Sequence, residues 1–167
     1  MQFFQIFKMQ VGAAKLLILS GDNPEYFHRL AAPHQVSEQD YFIRYAERDK
    51  VTEYLSAADA GLAMIRSANC ERGSSPIKIG EYLASELPVV ITRGIGDYSE
   101  LIERENLGVV VSENTPSGYL SAAQRLTVLW TEGEQLKHRC RLAAEANLAL
   151  KSVGVARYDG VYRRLTQ

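Results

Sequence analysis

The sequence predicts an α/β fold, an open parallel sheet flanked by helices, because short apolar runs alternate with helix-like segments along the chain. Turn-forming residues, for example Ser20-Gly21-Asp22-Asn23-Pro24, separate these segments. The 167 residues allow one domain with a real core, and 46% hydrophobic with 23% charged residues is an ordinary globular composition. We therefore expect a single domain over residues 1–167.

The first half of the chain opens on a helix and then alternates strands with helices. The helical spacing of Phe3, Phe4, Ile6 and Phe7 predicts a helix over residues 1–12 that stops at Gly12. Apolar runs predict three buried strands, at residues 16–19, 41–45 and 60–65. Helical patterns join these strands, at residues 24–32 and 49–57.

The second half continues the alternation. Strands are predicted at residues 88–92 and 108–111. Helices are predicted at residues 76–85, after Asp97, after Pro116 and at residues 133–150. Asp97 is expected to cap its helix, with Glu100 completing a capping box. A last helix carries an apolar and aromatic face, formed by Tyr158, Val161, Tyr162 and Leu165.

The composition argues against several classes of function. The 19 basic and 20 acidic residues leave a formal net charge of -1, which gives no electrostatic case for a nucleic-acid partner. Cys70 and Cys140 have no metal or disulfide spacing, so reduced thiols, a cytoplasmic location and no metal site are expected. No apolar run approaches the length of a membrane span, and the N-terminus does not look like a signal peptide.

The segment Ser74–Glu81 carries the most specific chemistry. Ser75 is a good N-cap, and Pro76 then takes the first helical position, where its missing N–H costs nothing. Lys78 falls in the first turn, where the helix dipole disfavours a cation unless an anion binds there too. Glu81 follows on the same face and is able to accept hydroxyl hydrogen bonds. This pairing suits the diphosphate and ribose of a nucleotide, with a solvated lysine and a surface Lys78–Glu81 ion pair as the alternatives.

These motifs resemble those of a known family, the retaining glycosyltransferases of family 4, which have the GT-B architecture. The match is to their C-terminal, nucleotide-sugar-binding half, and it covers roughly residues 1–166. Residues 51–62 (VTEYLSAADAGL), 74–84 (SSPIKIGEYLA) and 87–90 (LPVV) carry it, and the turn at 94–97 fits as well. The resemblance implies a Rossmann-like sheet and transfer of a sugar from a UDP- or GDP-type donor, as in polysaccharide biosynthesis. It implies no cofactor beyond that donor.

The resemblance also implies roles for single residues. Glu81 matches the second acid of the family's E-x7-E pattern, which binds the donor's ribose. Lys78 and the backbone of Ser74 and Ser75 match the neighbourhood of the diphosphate and the sugar. The catalytic groups are expected in the other half of the enzyme, so none is identified in this chain.

Two further candidate positions follow predicted strands. Arg44 and Tyr45 begin the segment Arg44–Glu47, which matches the region near the nucleotide's base. Arg66 leaves the third predicted strand at its carboxyl end, the edge where parallel sheets bind ligands, and is a candidate for a phosphate contact.

The sequence departs from the family pattern in three ways. The first acid of the E-x7-E pattern is absent, because its position is Gly73. Glu86 stands where the helix end normally has glycine, so either Glu86 adopts the left-handed conformation at a cost of about 1 kcal/mol or the cap differs. The chain opens on a helix, so we expect the sheet to lack its first strand and the chain to be a fragment of a two-domain enzyme without its N-terminal acceptor domain.

The isolated chain is expected to bind a nucleotide weakly and to lack transferase activity, since catalysis needs a cleft closed by a second half. Its expected partners are the nucleotide-sugar donor and the acceptor domain. A homodimer through exposed apolar surface and peripheral attachment of the parent to a membrane stay open. The alternative function is a non-enzymatic α/β domain for protein association. A nicotinamide site lacks support, because no strand leads into a G-x-G-x-x-G turn.

Overall fold

The computed structural model describes residues 1–65 and 74–165, which form eight α-helices and five strands. The strands are β1 (Leu16–Leu19), β2 (Tyr41–Arg44), β3 (Gly61–Ala63), β4 (Val89–Thr92) and β5 (Gly108–Val111). The first four helices are α1 (Gln2–Val11), α2 (Pro24–Ala31), α3 (Val51–Leu55) and α4 (Ile77–Ala84). The last four are α5 (Tyr98–Arg104), α6 (Pro116–Trp130), α7 (Glu134–Leu148) and α8 (Val155–Leu165).

The strands are parallel, as predicted, and their hydrogen-bonded ladders fall into two pieces. One piece pairs β1 with β2, with Leu16 beside Tyr41. The other has the order β3-β4-β5, with Gly61 beside Val89 and Val89 beside Gly108. Within the described residues no ladder joins β1 to β3. The predicted α/β fold with a parallel sheet flanked by helices is confirmed.

The three-stranded sheet is covered on both faces. Every residue of β4 and β5 is buried, which suits their β-branched runs VVIT and GVVV. On one face Ile79 and Leu83 of α4 pack with residues of α5 and α7. On the other face Leu126 of α6 packs with Val90 and Val109. The carboxyl ends of the strands are thus fixed by two helical layers.

Helix α1 joins the two sheets into one core. Phe4 packs against Tyr41 in the cluster of the two-stranded sheet. Phe3 and Phe7 pack instead with Val90 and other residues of the three-stranded sheet. Because different faces of α1 pack against different sheets, this helix holds the two sheets in a fixed position relative to each other.

The ends of α4 agree only partly with the prediction. The helix begins at Ile77, so Pro76 rather than Ser75 occupies the N-cap position, and no side chain caps it. At the other end Glu86 has φ 64°, so of the two alternatives for this cap the chain adopts the left-handed conformation. The amide of Leu87 then donates to the carbonyl oxygen of Tyr82 at 2.9 Å, which closes the helix as in a Schellman motif.

The predicted capping box before α5 does not form. Asp97 holds the N-cap position, but its side chain accepts no capping hydrogen bond. Ser99 Oγ instead accepts hydrogen bonds from the amides of Gly94 and Ile95, at 3.0 and 3.3 Å. The loop after β4 is therefore held by a buried hydroxyl inside the helix rather than by a carboxylate at its start.

Helix α8 does not pack as its sequence pattern suggested. A π-helical turn, Leu150–Gly154, leads into it, and none of its residues is buried. Tyr158 is 69% exposed and Leu165 is 77% exposed. The predicted apolar face exists, but it is open to solvent in this structure. Among the described residues no helix has both the length and the apolar character needed to cross a bilayer.

Candidate functional site

The carboxyl ends of β3 and β4 are fastened to each other. Thr92 Oγ1 donates to the carbonyl oxygen of Ile65 at 2.5 Å and accepts from the amide of Ile65 at 3.2 Å. Ser99 Oγ donates to the carbonyl oxygen of Thr92 at 3.4 Å. This edge is where parallel α/β sheets bind their ligands, and its backbone is held in place by buried hydroxyls.

The segment before α4 lies against this edge. Ser75 Oγ is 3.4 Å from the hydroxyl of Tyr98, the buried first residue of α5. Ser74 is half-buried and Ser75 is exposed. The structure therefore places Ser75 beside the first residue of α5. The candidates Gly73 and Arg66 lie outside the described residues.

Lys78 and Glu81 project from the outer face of α4. The opposite face of this helix is anchored by Ile79 and Leu83, which are fully buried, so Lys78 and Glu81 are exposed. Among the described residues neither side chain has an ion-pair or hydrogen-bond partner. The structure does not show the surface Lys78–Glu81 ion pair that was one alternative interpretation. A cation and a carboxylate are both available here to a ligand.

Tyr82 sets the distance between α4 and strand β3. Its ring lies so close to Gly61 that a Cβ added there would overlap the ring. Its hydroxyl lies 3.5 Å from the carbonyl oxygen of Leu62. Burial, with a smaller contribution from the charge of Glu81, raises the pKa of Tyr82. The tyrosine therefore remains a neutral packing residue beside the exposed carboxylate.

A depression of about 450 Å³ opens after β2. It is lined by Tyr45, Ala46, Glu47, Lys50, Glu53 and Tyr54. Lys50 and Glu53 form an ion pair at 2.6 Å on its wall. Tyr45 is 66% exposed and also stands beside Gly21 in the turn after β1. Two aromatic rings and Glu47, whose side chain has no partner among the described residues, give this depression the lining expected for a planar polar ligand.

Arg44 does not line the depression. Its guanidinium donates to the carbonyl oxygen of Ile43 at 2.8 Å and lies 5.9 Å from the centre of the Phe42 ring. Of the predicted segment Arg44–Glu47, Tyr45 and Glu47 lie in the lining of the depression, while Arg44 folds back on its own strand. No hydrogen bond or ion pair among the described residues links the depression to α4.

Sequence reasoning missed Lys50, Glu53 and Tyr54 as lining residues. They lie on the helical segment after β2, where the only available signal is that a parallel strand ends just before them. Groups of three or more metal-ligating side chains are not found in residues 1–65 and 74–165. The described site offers cationic, carboxylate and aromatic groups rather than a metal centre.

Comparison with solved structures shows the fold. Sucrose-phosphate synthase from Thermosynechococcus elongatus matches with a TM-score of 0.71 at 16% identity, over 99% of this chain. WaaG, a glycosyltransferase involved in lipopolysaccharide biosynthesis, matches with a TM-score of 0.59 at 19% identity, over 87% of this chain. AviGT4, a glycosyltransferase involved in avilamycin A biosynthesis, matches with a TM-score of 0.56 at 18% identity, over 98% of this chain.

The chain spans less than half of each of these proteins, between 43% and 47% of their lengths. A comparison with curated proteins gave no match. The family model described as glycosyl transferases group 1 matches residues 2–128. That range includes both sheets, α4 and the depression after β2. The chain therefore belongs to the group 1 glycosyl transferases and has the α/β fold of GT-B glycosyltransferases.

Proposed function

We propose that this chain is the donor-binding domain of a retaining glycosyltransferase of family 4 and that it holds a nucleotide-sugar. The observation that carries the proposal is Lys78. It stands exposed in the first turn of α4, where the helix dipole disfavours a cation, and it has no partner among the described residues. A bound diphosphate changes the sign of that interaction, because the helix dipole and Lys78 then both attract the same anion.

The other described groups suit the remaining parts of such a donor. Glu81 lies one turn further along the same exposed face and offers carboxylate oxygens to ribose hydroxyls. The depression after β2 offers Tyr45 and Tyr54 to the face of a base and Glu47 to its amino or imino groups. The glycosyl transferases group 1 match supports a sugar as the transferred group.

The chain is proposed to bind the donor without turning it over. Sugar transfer requires an acceptor held against the donor in a closed, water-excluding cleft. We assign the acceptor to a second domain, and this chain to the cytoplasmic donor half of the complete enzyme. Purified chain incubated with a UDP- or GDP-sugar and candidate acceptors is expected to form no transfer product, and turnover would contradict this assignment.

Binding is tested by titrating UDP, GDP and ADP into the chain by calorimetry or NMR. Lys78→Ala is expected to weaken the best nucleotide about tenfold, the effect of losing one charge-assisted contact. Lys137→Ala is the matched control, because Lys137 also stands in the first turn of a helix, α7, but is already paired with Glu134 at 2.7 Å. Equal affinities for the wild type and Lys78→Ala would show that the diphosphate site is wrongly placed.

The same titration separates the parts of the donor. Glu81→Ala is expected to weaken UDP, and to have little effect on inorganic diphosphate, which has no ribose. Tyr45→Ala is expected to weaken UDP or GDP and again to spare diphosphate, since a stacked ring contributes about 1 kcal/mol. If all three variants bind every probe as the wild type does, the nucleotide site is elsewhere.

A second candidate function is protein association without catalysis. The observation that favours it is α8, whose apolar residues include Val155 at 56% and Leu165 at 77% exposure. An exposed face of this kind marks an interaction surface. A stable dimer in light scattering, together with no binding of UDP, GDP or ADP, would favour this function over donor binding.

A further inference from the structure

The depression after β2 carries a net negative charge. Its charged lining residues are one lysine, Lys50, and two glutamates, Glu47 and Glu53. Lys50 Nζ lies 2.6 Å from Glu53 Oε1, so these two charges largely cancel. The side chain of Glu47 has no hydrogen-bond or ion-pair partner among the described residues. The carboxylate of Glu47 therefore sets the charge that a ligand in the depression meets.

The backbone of Glu47 is held in place, although the fold makes no use of its side chain. Glu47 is the N-cap of a single 3₁₀ turn, Arg48–Lys50, and its carboxylate makes no capping hydrogen bond. Its carbonyl oxygen accepts from the amide of Lys50 at 2.8 Å. The carboxylate is thus available to a ligand from a fixed point of the chain.

Two tyrosine rings form the apolar part of the lining. Tyr45 follows β2 directly and is 66% exposed, and a Cβ added to Gly21 would lie 3.7 Å from its ring. Tyr54 belongs to α3 and is half-buried. Tyrosine rings offer flat surfaces to another planar ring. The volume of about 450 Å³ is within the usual range for a small-molecule site.

The charge of Glu47 decides which part of a nucleotide suits the depression. A phosphate would be repelled by this carboxylate, and Lys50 is already engaged with Glu53. A base carries no charge and can donate hydrogen bonds, whereas an ionised carboxylate only accepts them. The depression therefore favours a base whose edge presents hydrogen-bond donors.

Guanine is the nucleobase that matches a carboxylate best. Its ring N–H and its exocyclic amino group lie side by side, so the two oxygens of one carboxylate accept from both at once. Uracil has one ring N–H between two carbonyl oxygens, which a carboxylate repels. Adenine and cytosine each have a ring-nitrogen acceptor beside the amino group. These three bases therefore give a carboxylate one hydrogen bond where guanine gives two.

We propose that the depression after β2 selects guanine through Glu47, so that the donor is a GDP-sugar rather than a UDP- or ADP-sugar. The guanine ring lies against Tyr45 and Tyr54, and its ring N–H and amino group donate to the carboxylate of Glu47. This inference rests on the proposed donor-binding function and adds the identity of the base. It makes Glu47 a specificity-determining residue.

The test compares four nucleotides by calorimetry, which are GDP, IDP, UDP and ADP. IDP differs from GDP only by lacking the exocyclic amino group. The wild type is expected to bind GDP about tenfold more tightly than IDP, the effect of one hydrogen bond to a charged group. UDP and ADP are expected to bind more weakly than GDP as well.

Glu47→Ala is expected to reduce the preference for GDP over IDP from about tenfold to nearly none. The ratio of the two affinities cancels any general effect of the lost charge on the diphosphate, because both nucleotides carry the same diphosphate. Asp49→Ala is the matched control, because Asp49 is an exposed acid two residues away that does not line the depression. This control should keep the wild-type ratio. Circular dichroism shows whether each variant is folded.

The outcomes separate this inference from the function on which it rests. Equal affinities for GDP and IDP in the wild type, tighter binding of UDP or ADP than of GDP, or an unchanged ratio in folded Glu47→Ala would each overturn the choice of guanine. The donor site would still stand if Lys78→Ala weakened the nucleotide that binds best. If none of the four nucleotides binds, the donor-binding function and this inference both fail.

Discussion

Thr92 and Ile65 form a reciprocal hydrogen-bonded pair across two neighbouring strand ends. The hydroxyl of Thr92 donates to the carbonyl oxygen of Ile65 and accepts from its amide, while Thr92 itself is only 3% exposed. A side chain thus continues the β3–β4 ladder beyond the last backbone pair, Ala63 with Ile91. The hydroxyl of Thr92 thus fastens the carboxyl end of β3 to that of β4.

Thr92→Val is expected to destabilise the chain by about 1–3 kcal/mol, because it leaves the part-buried carbonyl oxygen of Ile65 without its partner. The amide of Ile65 keeps its hydrogen bond to the carbonyl oxygen of Ala63 at 3.0 Å. Thr92→Ser keeps the hydroxyl and is expected to cost less than the valine variant. Urea unfolding followed by circular dichroism measures both. Equal stability of Thr92→Val and the wild type would show that this hydroxyl does not hold the edge.

Glu86→Gly is expected to stabilise the chain by about 1 kcal/mol. Glu86 has φ 64°, a conformation that costs a residue with a side chain and costs glycine almost nothing. Glu86→Gln isolates the effect of removing the charge and is expected to change stability much less. A midpoint of urea unfolding that is no higher for Glu86→Gly than for Glu86→Gln would contradict the cap argument.

Gly61→Ala is expected to destabilise the chain by about 1–3 kcal/mol, the range for an overpacked core. The added methyl group would meet the base of the Tyr82 ring, which cannot swing aside as the tip of a flexible chain does. Gly160→Ala in α8 is the control, since its methyl group would meet no atom within 4 Å. Similar unfolding midpoints for the two variants would rule out the close Gly61–Tyr82 packing.

Cys140 is expected to be inert in the native chain. It is fully buried, and burial raises the pKa of its thiol to about 12, so the reactive thiolate is scarce at pH 8. In a Cys70→Ser background, a disulfide reagent should label nothing in native protein and one thiol per chain in urea. Rapid labelling of native Cys70→Ser protein would show that this part of the core opens readily.

Asp40 is expected to make stability fall in acid. Lys8 and Lys15 surround its buried carboxylate and lower its pKa in the folded chain. The stabilisation is therefore complete above the ordinary aspartate pKa, about 4, and is lost as the pH falls through the lowered value. The unfolding midpoints of the wild type and of Asp40→Asn are compared at pH 6 and pH 3. The midpoint should fall more between these pH values in the wild type than in Asp40→Asn. An equal fall in both proteins would contradict this prediction.

Much of the fold was readable from local sequence. The run Gly108–Val111 is bounded by turn residues and is wholly apolar, so both its type and its bounds follow from periodicity alone. The end of α1 at Gly12 follows equally from local backbone chemistry, which also offered the left-handed Glu86 as one of two alternatives. These features depend on neighbours within about one helical turn of each other.

The errors arise where the folded chain, rather than the local sequence pattern, decides which group a side chain meets. Ser75 has the chemistry of an N-cap, but it lies instead near the Tyr98 hydroxyl, 23 residues later. The loop after β4 is held by Ser99 rather than by the predicted carboxylate. Lys50 and Tyr54 became candidate site residues only because the chain folds them around one depression. The spacing of residues along the chain says little about side-chain contacts of this kind, because they form only in the folded chain.

The aromatic contacts of α1 bear on how the chain is made. Phe3 lies 6.0 Å from Tyr119 and Phe7 lies 5.5 Å from Trp130, ring centre to ring centre. These partners are separated by well over half the chain, so they close one of its longest loops. During synthesis at about 5–20 residues per second, α6 is made several seconds or more after Phe3 and Phe7. Until then the Phe3 and Phe7 side of α1 lacks its neighbours from α6, and a growing chain stopped before α6 should leave the helix more open to proteases.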